Sequence, residues 1–234
     1  MQELEFLGQK LIVFDLTHNL YHDMPTYPTV ENFRIESINH VAKDGFAAKR
    51  IMMITHHGTH IDAAAHMIED GKTIDRYEIS HFIINAVILN LKGLNAGEEI
   101  TSTHLKRFNN VISKNQGILI YTGWSDKRGW NKEYLTQWPY LDIDGAEYIA
   151  SFPNIKMVGT DGLSIAGYSE KAHVFETHKI LLSKDIIILE ELNFKDIKSL
   201  LDSKEYIEGY VIALPLLIKD ADGAPARVVF LIKA

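Results

Sequence analysis

His56-His57-Gly58-Thr59-His60-Ile61-Asp62-Ala63-Ala64-Ala65-His66 is the stretch that decides the fold and the chemistry of this chain. It places four histidines and one aspartate within eleven residues. Imidazole nitrogens and carboxylate oxygens are ligands for divalent transition metals. Packing alone explains such a run poorly, because every buried imidazole needs a hydrogen-bond partner. The segment therefore predicts a metal site.

The spacing within this segment favours an extended backbone. His60 and Asp62 are two residues apart, so on a strand both project from one face, and His56 joins them four residues earlier. A helix is disfavoured because Gly58 interrupts it. Three ligands from one short segment leave open positions on a metal, which a catalytic site requires. His57 would point away from that face, and we interpret it as a packing residue or as a support for the ligands.

Composition and charge exclude several classes of protein. The chain has 234 residues, 46% of them hydrophobic, which fits one folded domain over residues 1–234. The net charge of −7 without a basic block argues against nucleic-acid binding. No cysteine is present, so nitrogen and oxygen must supply all metal ligands. The acidic first ten residues do not resemble a signal peptide, and no apolar run is long enough to span a membrane. We expect a cytoplasmic protein with a small-molecule substrate.

Short apolar runs outnumber helical patterns along the chain and predict a single, β-rich α/β domain. The predicted strands are Leu11–Leu16, Phe33–Ile38, Ala48–Ile54, Ile83–Leu91, Gly117–Tyr121, Ile155–Gly159, Asp185–Leu189, Tyr206–Leu214 and Ala226–Ile232. The predicted helices are Ser102–Ser113, Gly145–Ser151, Glu170–Leu182 and Phe194–Leu201. Asp144 is the expected N-cap of the second helix. Strand order does not follow from periodicity.

A second polar region lies more than one hundred residues downstream. Glu190 follows a short buried run and should stand at the carboxyl end of a strand, where active sites of α/β folds are often found. Glu190 and Glu191 are adjacent and face opposite ways if extended, so only one can point into a site. From local sequence alone, Glu190 could equally be a solvated strand end. His178 could be an ordinary hydrogen-bonded residue of a helix.

The segment His56–His66 resembles the His-x-Gly-Thr-His-x-Asp-x-x-x-His signature of the metal-dependent cyclase-like hydrolases, a family that includes bacterial kynurenine formamidase and isatin hydrolase. His178 and Glu190 stand where that family has its downstream ligands. Other stretches in the same order resemble further family elements, so the resemblance spans nearly the whole chain. They are Phe14–Thr17, Met24–Pro28, Gly159–Ser164, Leu214–Leu216 and Gly223–Arg227.

The resemblance implies a site for two metal ions. His56, His60 and Asp62 would hold the first ion. Asp62 would also reach the second ion, which His178 completes, and Glu190 would contact one or both. Zinc is the expected metal and manganese the alternative, because histidines and carboxylates without thiolates suit either ion. The implied fold is a swivelling β/β/α architecture assembled as a homodimer or homotetramer.

The resemblance also assigns roles around the metals. His66 would be the general acid/base and not a ligand, and Tyr27 would replace the tryptophan with which kynurenine formamidases contact their substrate. Ala64 replaces a usual proline, and Lys179 stands where formamidases often have a second histidine. The metal ligands therefore match the family better than the substrate-contacting positions do.

Three functions follow as alternatives. The first is a metal-dependent hydrolase that cleaves the C–N amide bond of a small aryl formamide or cyclic amide with a metal-bound hydroxide. The second is a metal-dependent cyclase or dehydratase of a biosynthetic pathway, or a lactone hydrolase. The third is a non-catalytic metal-binding protein, against which the presence of His66 argues. N-formylkynurenine is the leading substrate candidate for the first.

Overall fold

Strands outnumber helices in the part of the chain that the computed structural model describes, which is residues 2–6, 8–169 and 172–234. The strands are β1 (Gln2–Phe6), β2 (Gln9–Asp15), β3 (Arg34–Asn39), β4 (Ala48–Met52), β5 (His60–Asp62), β6 (Ile83–Asn90), β7 (Glu99–Ile100), β8 (Gly117–Tyr121), β9 (Tyr140–Leu141), β10 (Met157–Thr160), β11 (Ile187–Glu190), β12 (Tyr206–Pro215) and β13 (Gly223–Lys233). The α-helices are α1 (Val41–Asp44), α2 (Ser102–Lys106), α3 (Asn109–Ile112), α4 (Lys132–Thr136), α5 (Ile143–Ala150), α6 (Val174–Leu182) and α7 (Lys198–Leu201). No helix in these ranges is long and apolar enough to cross a membrane.

Seven strands form a closed sheet in the order β13-β12-β6-β8-β10-β11-β5, because β5 pairs with β11 on one side and with β13 on the other. The neighbours β6, β8, β10 and β11 run parallel, and the other pairs of the ring are antiparallel. Strands β2 and β1 extend the sheet from β13. The predicted β-rich α/β class is therefore confirmed, and closure of the ring depends on the three residues of β5.

Alternation along the strands divides the core in two. Ile61 of β5 and Leu189 of β11 belong to the cluster that fills the inside of the closed sheet. Ile188 points the other way and packs with Leu181 and Leu182 of α6 in a second cluster outside the sheet. Each fully buried Leu or Ile side chain contributes about 1.5–3 kcal/mol of hydrophobic stabilisation. The outer face of β11 and β5 is thus the face that α6 covers.

Two helix predictions need correction at their ends. The run predicted as one helix over 102–113 forms two short helices, α2 and α3, that Phe108 separates. The N-cap of α5 is Asp142, whose side chain accepts a 2.7 Å hydrogen bond from the Gly145 amide. Asp144, the expected cap, accepts instead a 2.8 Å hydrogen bond from the Ser102 amide. It therefore joins α5 to α2 and does not cap its own helix.

The last two predicted helices are shorter than expected. Helix α6 begins at Val174, and the predicted start at Glu170 and Lys171 lies outside the described residues. The helix predicted over 194–201 reduces to α7, because Phe194 and Ile197 belong to the cluster inside the sheet. The pattern of apolar residues thus located these segments but not their ends.

Candidate active site and metal centre

Cross-strand pairing brings the two polar regions of the sequence together. In the antiparallel pair of β5 and β11, His60 lies opposite Glu190 and Asp62 lies opposite Ile188. His60, Asp62 and Glu190 are on the outer face, since the intervening Ile61 points inward. All three polar side chains are almost completely buried. The expectation that His60 and Asp62 share one strand face is thus met, and Glu190 is the last residue of its strand.

His56 reaches the same place without being part of the strand, which corrects the expectation of an extended segment from residue 56 onward. Strand β5 begins only at His60, and the chain turns at Gly58 with a left-handed φ of 67°. This positive φ is what favours glycine at position 58, since a side chain there would be strained. The turn places His56 Nδ1 2.7 Å from Asp62 Oδ1.

Helix α6 supplies His178 from above this face of the sheet. His178 Nε2 lies 3.3 Å from Glu190 Oε1 and 3.8 Å from Asp62 Oδ2. His60 Nε2 lies 3.3 Å from Asp62 Oδ1 and 3.4 Å from Glu190 Oε2. His56, His60, Asp62, His178 and Glu190, named here the histidine cluster, therefore converge around the two carboxylates.

Each histidine of the cluster is held by its outer nitrogen. His60 Nδ1 donates to Gly58 O at 2.8 Å and His178 Nδ1 donates to Val174 O at 2.7 Å. His56 Nε2 donates to Asp222 Oδ2 at 2.8 Å. These bonds turn the other nitrogen of each ring toward the carboxylates and fix the tautomer that a metal ligand needs. The outer partners orient the rings as in known histidine metal sites.

The donor atoms of the cluster fit divalent metal ions. His60 Nε2 and Asp62 Oδ2 are buried and have no hydrogen-bond partner in the protein. Burying such polar atoms without a partner costs folding free energy, and a bound cation would supply the missing partner. Among the residues that the structure describes, donor atoms within 4.8 Å of one another form two groups, and both groups share Asp62. They are His60, Asp62 and Glu190, and His56, Asp62 and His66. Nitrogen and carboxylate oxygen together suit zinc or manganese.

The electrostatics of the cluster follow from its two buried carboxylates. Burial lowers the pKa of His56, but the charge of Asp62 and the hydrogen bond to Asp222 outweigh it and raise that pKa to about 9. Burial also raises the pKa of Asp62, and the neighbouring His56 and His60 hold it well below its usual range. The carboxylates therefore stay ionised and attract positive charge, which either protons on the imidazoles or metal ions can provide.

His66 stands at the edge of the cluster on a single 3₁₀ turn, Ala64–His66. Its ring centre lies 4.1 Å from that of His56 and 6.0 Å from that of His178. Its Nδ1 donates to Asp222 Oδ2 at 3.2 Å, and its side chain is 25% exposed. The ring therefore reaches both the metal ligands and the solvent side of the site. Its assignment as acid/base and not as ligand stays a prediction.

Asp222 is the polar residue that sequence reasoning missed. Besides His56 and His66, it accepts a 2.9 Å hydrogen bond from Thr55 Oγ1. It comes directly before Gly223, where a Cβ would lie 2.5 Å from Ile61 O and 2.9 Å from His56 Cε1. The signal that could have found it was an acidic residue immediately before the family-like stretch that begins with this glycine.

Two other residues of the family comparison lie outside the cluster. His57 Nδ1 accepts from the Ile54 amide at 3.1 Å, and its Nε2 donates to Glu31 O at 2.7 Å. Its ring also contacts Phe33 edge-on. Both ring nitrogens are therefore occupied, as expected for a packing residue. Lys179 is exposed on α6.

A cavity of about 590 Å³ opens onto the histidine cluster. Tyr27 lines it and makes edge-on contacts with Trp138 and Tyr168, at ring-centre distances of 5.9 and 5.6 Å. Burial is the main reason why the pKa of Tyr27 rises to about 12, so its hydroxyl stays protonated at neutral pH. The lining includes Ser164, whose Oγ donates to Glu190 Oε1 at 2.9 Å. Tyr27 thus lines the cavity beside the histidine cluster, and its contact with a substrate stays a prediction.

Fold and site together define a β-barrel protein with a histidine–carboxylate cluster, a candidate metal centre, on the outside of the barrel beneath one helix. The model of a protein family described as "putative cyclase" matches residues 14–166 of this chain, and the chain belongs to that family. The match begins within β2 and ends just after Ser164. It includes the whole His56–His66 segment but not His178 or Glu190.

Individual relatives cover almost the whole chain. A kynurenine formamidase of Bacillus cereus is 28% identical over 216 residues, covering 92% of this chain and 95% of that protein. A solved structure described as a potential metal-dependent hydrolase with cyclase activity is 27% identical, with a TM-score of 0.75, and the match covers 96% of this chain and 99% of that one. Isatin hydrolase A of Labrenzia aggregata shares the fold, with a TM-score of 0.82 at 23% identity, over 96% of this chain and 94% of that one.

Proposed function

We propose that this protein is a metal-dependent hydrolase that cleaves the C–N amide bond of a small aryl formamide or cyclic amide. The observation that carries the proposal is the set of three histidines whose outer nitrogens are tied down while their inner nitrogens face two buried carboxylates. A cavity of substrate size opens onto that set. The similarity to a kynurenine formamidase supports the choice of an amide bond.

The chain has enough ligands for two ions, with Asp62 between them. His56, His60 and Asp62 would hold one ion, and Asp62, His178 and Glu190 the other. A bound divalent ion would supply a Lewis acid for the carbonyl oxygen and would lower the pKa of a coordinated water. We propose zinc, with manganese as the alternative.

His66 would move the proton during hydrolysis. Because its Nδ1 donates to Asp222, Nε2 is the ring atom left to accept a proton from the nucleophile. The same atom can then pass that proton to the leaving nitrogen, which departs more easily as a neutral amine. Asp222 would act as a positioning residue, since one carboxylate group holds the rings of both His56 and His66.

We further propose that the protein assembles as a homodimer or homotetramer. Strands β3 and β4 form a separate two-stranded hairpin, and an isolated hairpin is marginally stable in water. Phe46, Ile51 and Met52 on or next to this hairpin are each more than half exposed. Covering them in a second subunit would remove this apolar surface from water.

The proposed function is tested by metal analysis combined with a substrate panel. The protein is purified without chelators, its zinc and manganese content is measured, and each metal form is assayed on formanilide, isatin and N-formylkynurenine. We expect bound metal and release of the amine or ring-opened product from at least one compound. A metal-free protein that neither binds added zinc or manganese nor hydrolyses any of the three would refute the proposal.

A cyclase or dehydratase is the second candidate, because a solved relative that matches nearly the whole chain is described as having cyclase activity. Such an enzyme could use the same metal site to polarise a carbonyl without net hydrolysis. Metal binding without hydrolysis across a broad panel of amides and lactones would favour this function over the first.

A further inference from the structure

The 3₁₀ turn Ala64–His66, named here the His66 turn, carries the proposed acid/base at its last position. In any helical turn the first backbone N–H groups have no partner within the turn itself. A serine, threonine, asparagine or aspartate at the N-cap usually accepts from them, but here the N-cap is Ala63, whose side chain cannot. The first amides of the His66 turn therefore need acceptors from elsewhere in the fold.

Two groups from a later part of the chain accept these hydrogen bonds. The Ala64 amide donates to Tyr77 Oη at 3.2 Å, and the Ala65 amide donates to the carbonyl oxygen of Lys72 at 3.1 Å. Because Lys72 contributes its backbone, any residue at position 72 could make that contact. The contact of the Ala64 amide, by contrast, depends on the hydroxyl group of one tyrosine.

Tyr77 is itself held in place from several sides. Its buried ring belongs to the cluster inside the closed sheet, with Lys72 Nζ 4.4 Å from the ring centre and the His81 ring edge-on at 5.0 Å. Its hydroxyl donates to Asp185 Oδ1 at 3.4 Å, which leaves the oxygen lone pairs free to accept from the Ala64 amide. Burial is the main reason why the pKa of Tyr77 rises to about 12, so this hydroxyl keeps its proton at neutral pH.

We infer that Tyr77 is a positioning residue, whose hydroxyl fixes the His66 turn and thereby the direction of the His66 imidazole. This inference rests on the proposed function and deepens it, because Tyr77 acts through the backbone of residue 64. Without the hydroxyl the buried Ala64 amide would lose its acceptor, and the turn would have to move to satisfy it. A displacement of about 1 Å can cost a reaction up to about 10²-fold in rate.

Tyr77→Phe tests the inference, because it removes the hydroxyl and keeps the ring. We expect kcat on the best substrate of the panel to fall by about tenfold, with KM and metal content within about twofold of the unaltered protein. Tyr148→Phe is the matched control, since it removes a hydroxyl that contacts Asn109 outside the site, and should leave kcat unchanged. An unchanged kcat in Tyr77→Phe would overturn the inference. Loss of metal from that variant would do the same, because the hydroxyl would then support the metal ligands and not His66.

Ala64→Pro identifies the Ala64 amide as the group through which the hydroxyl acts. Proline has no N–H and suits the first position of a helical turn, and Ala63 already has the extended backbone, with φ −92° and ψ 166°, that a following proline favours. In the single variant the proline ring would collide with Tyr77 Oη, so kcat should fall. In Ala64→Pro/Tyr77→Phe both the unpaired amide and the collision are removed, and kcat should return to within about threefold of the unaltered protein. A double variant that loses the product of the two single losses would contradict the inference.

The inference and the proposed function can fail separately. If the metal-loaded protein hydrolyses no compound of the panel, the proposed hydrolase function fails. The ring resonance of His66, identified by its absence in His66→Ala, then decides the inference in ¹H–¹³C spectra of the same protein. A resonance that moves in Tyr77→Phe and returns in the double variant supports the positioning role. A resonance that stays unchanged in Tyr77→Phe refutes it.

Discussion

Glu190 and Glu191 are consecutive residues, and both are almost completely buried, yet they belong to different polar clusters. Glu190 faces the histidine cluster. Glu191 has a left-handed φ of 51° and points to the opposite side, where Tyr134 Oη donates to its Oε1 at 2.9 Å and Arg128 lies beside it. Arg128, Tyr134 and Glu191 are named here the arginine cluster. One strand end thus supplies carboxylates to two neighbouring buried sites.

The two clusters differ in how their charge is balanced. In the arginine cluster one carboxylate faces one guanidinium, which is always protonated. In the histidine cluster two carboxylates, Asp62 and Glu190, face imidazoles that are neutral in the form that binds metal. That cluster therefore needs added positive charge, from protons on the imidazoles or from metal ions. A surplus of buried negative charge, more than polarity itself, therefore distinguishes a candidate metal site from a structural ion pair.

Removing a negative charge from the histidine cluster should have the largest effect on metal binding and activity. We expect Asp62→Ala to abolish metal binding and hydrolysis, because Asp62 is the carboxylate common to both groups of donor atoms. Metal content by mass spectrometry and activity on formanilide measure this. Asp220→Asn, which changes an exposed carboxylate outside the cluster, is the control and should retain metal. Full metal occupancy in Asp62→Ala would exclude a bridging role.

His66→Ala should separate catalysis from metal binding within the site. We expect bound metal to be retained while kcat falls by about 10²–10⁴, the usual contribution of a general acid/base. Metal content and steady-state kinetics are measured on the same preparation. Loss of metal from this variant would show instead that His66 is a ligand of the group it forms with His56 and Asp62.

Glu191→Gln should lower the free energy of unfolding. Arg128 would be left as a buried charge without its partner, which costs about 3–5 kcal/mol of unfolding free energy. Urea denaturation followed by tryptophan fluorescence measures the loss. The double variant Arg128→Gln/Glu191→Gln should regain part of it, since it has no unpaired charge. An unchanged unfolding free energy in the single variant would mean that the arginine cluster is not a buried ion pair in solution.

Asp222→Asn should have a smaller effect on metal affinity and activity, because Asp222 is not one of the proposed metal ligands. An amide in place of the carboxylate weakens the hydrogen bonds that orient His56 and His66, and we expect a loss of about 10–100-fold in metal affinity or kcat. Chelator competition and the separate values of kcat and KM are the measurements. Asp220→Asn, exposed and two residues away, is the control. Equal metal affinity and equal kcat and KM in the two variants would show that Asp222 does not support the site.

His18 should affect the pH dependence of stability and leave the histidine cluster unchanged. Burial and the nearby charge of Arg128 lower its pKa to about 3, the reverse of the shift in His56. The unfolded chain binds this proton near pH 6.5 and the folded chain does not, so stability is lost as pH falls from about 6.5 toward 3.

The slope due to His18 is at most about 1.4 kcal/mol per pH unit, and His18→Gln should remove it. Urea denaturation between pH 7 and pH 4 compares this variant with His40→Gln, which replaces an exposed histidine. The same slope in both variants would mean that His18 takes up its proton equally in the folded and unfolded chain.

Much of this protein could be predicted from local sequence. The donor-rich segment and the alternation of the strands depend on neighbours in the chain, and period-two geometry follows from covalent structure alone. Glu190 and Glu191 do face opposite ways, but Glu191 lies past the end of β11 with a left-handed φ, so the extended geometry behind that prediction does not hold for it. Strand β8 was predicted with its observed ends. The ends of other elements depended on tertiary contacts, as the break at Phe108 between α2 and α3 illustrates.

The tertiary structure alone decided which distant groups meet. That β5 closes the sheet by pairing with both β11 and β13 brings Glu190 opposite His60 and places Asp222 beside His56. Strand order carries no periodic signal, because it depends on which strands pair across long loops. The sequence specifies the chemistry of each side chain. The surplus of negative charge that favours a cation arises only when the closed sheet buries Asp62 and Glu190 together.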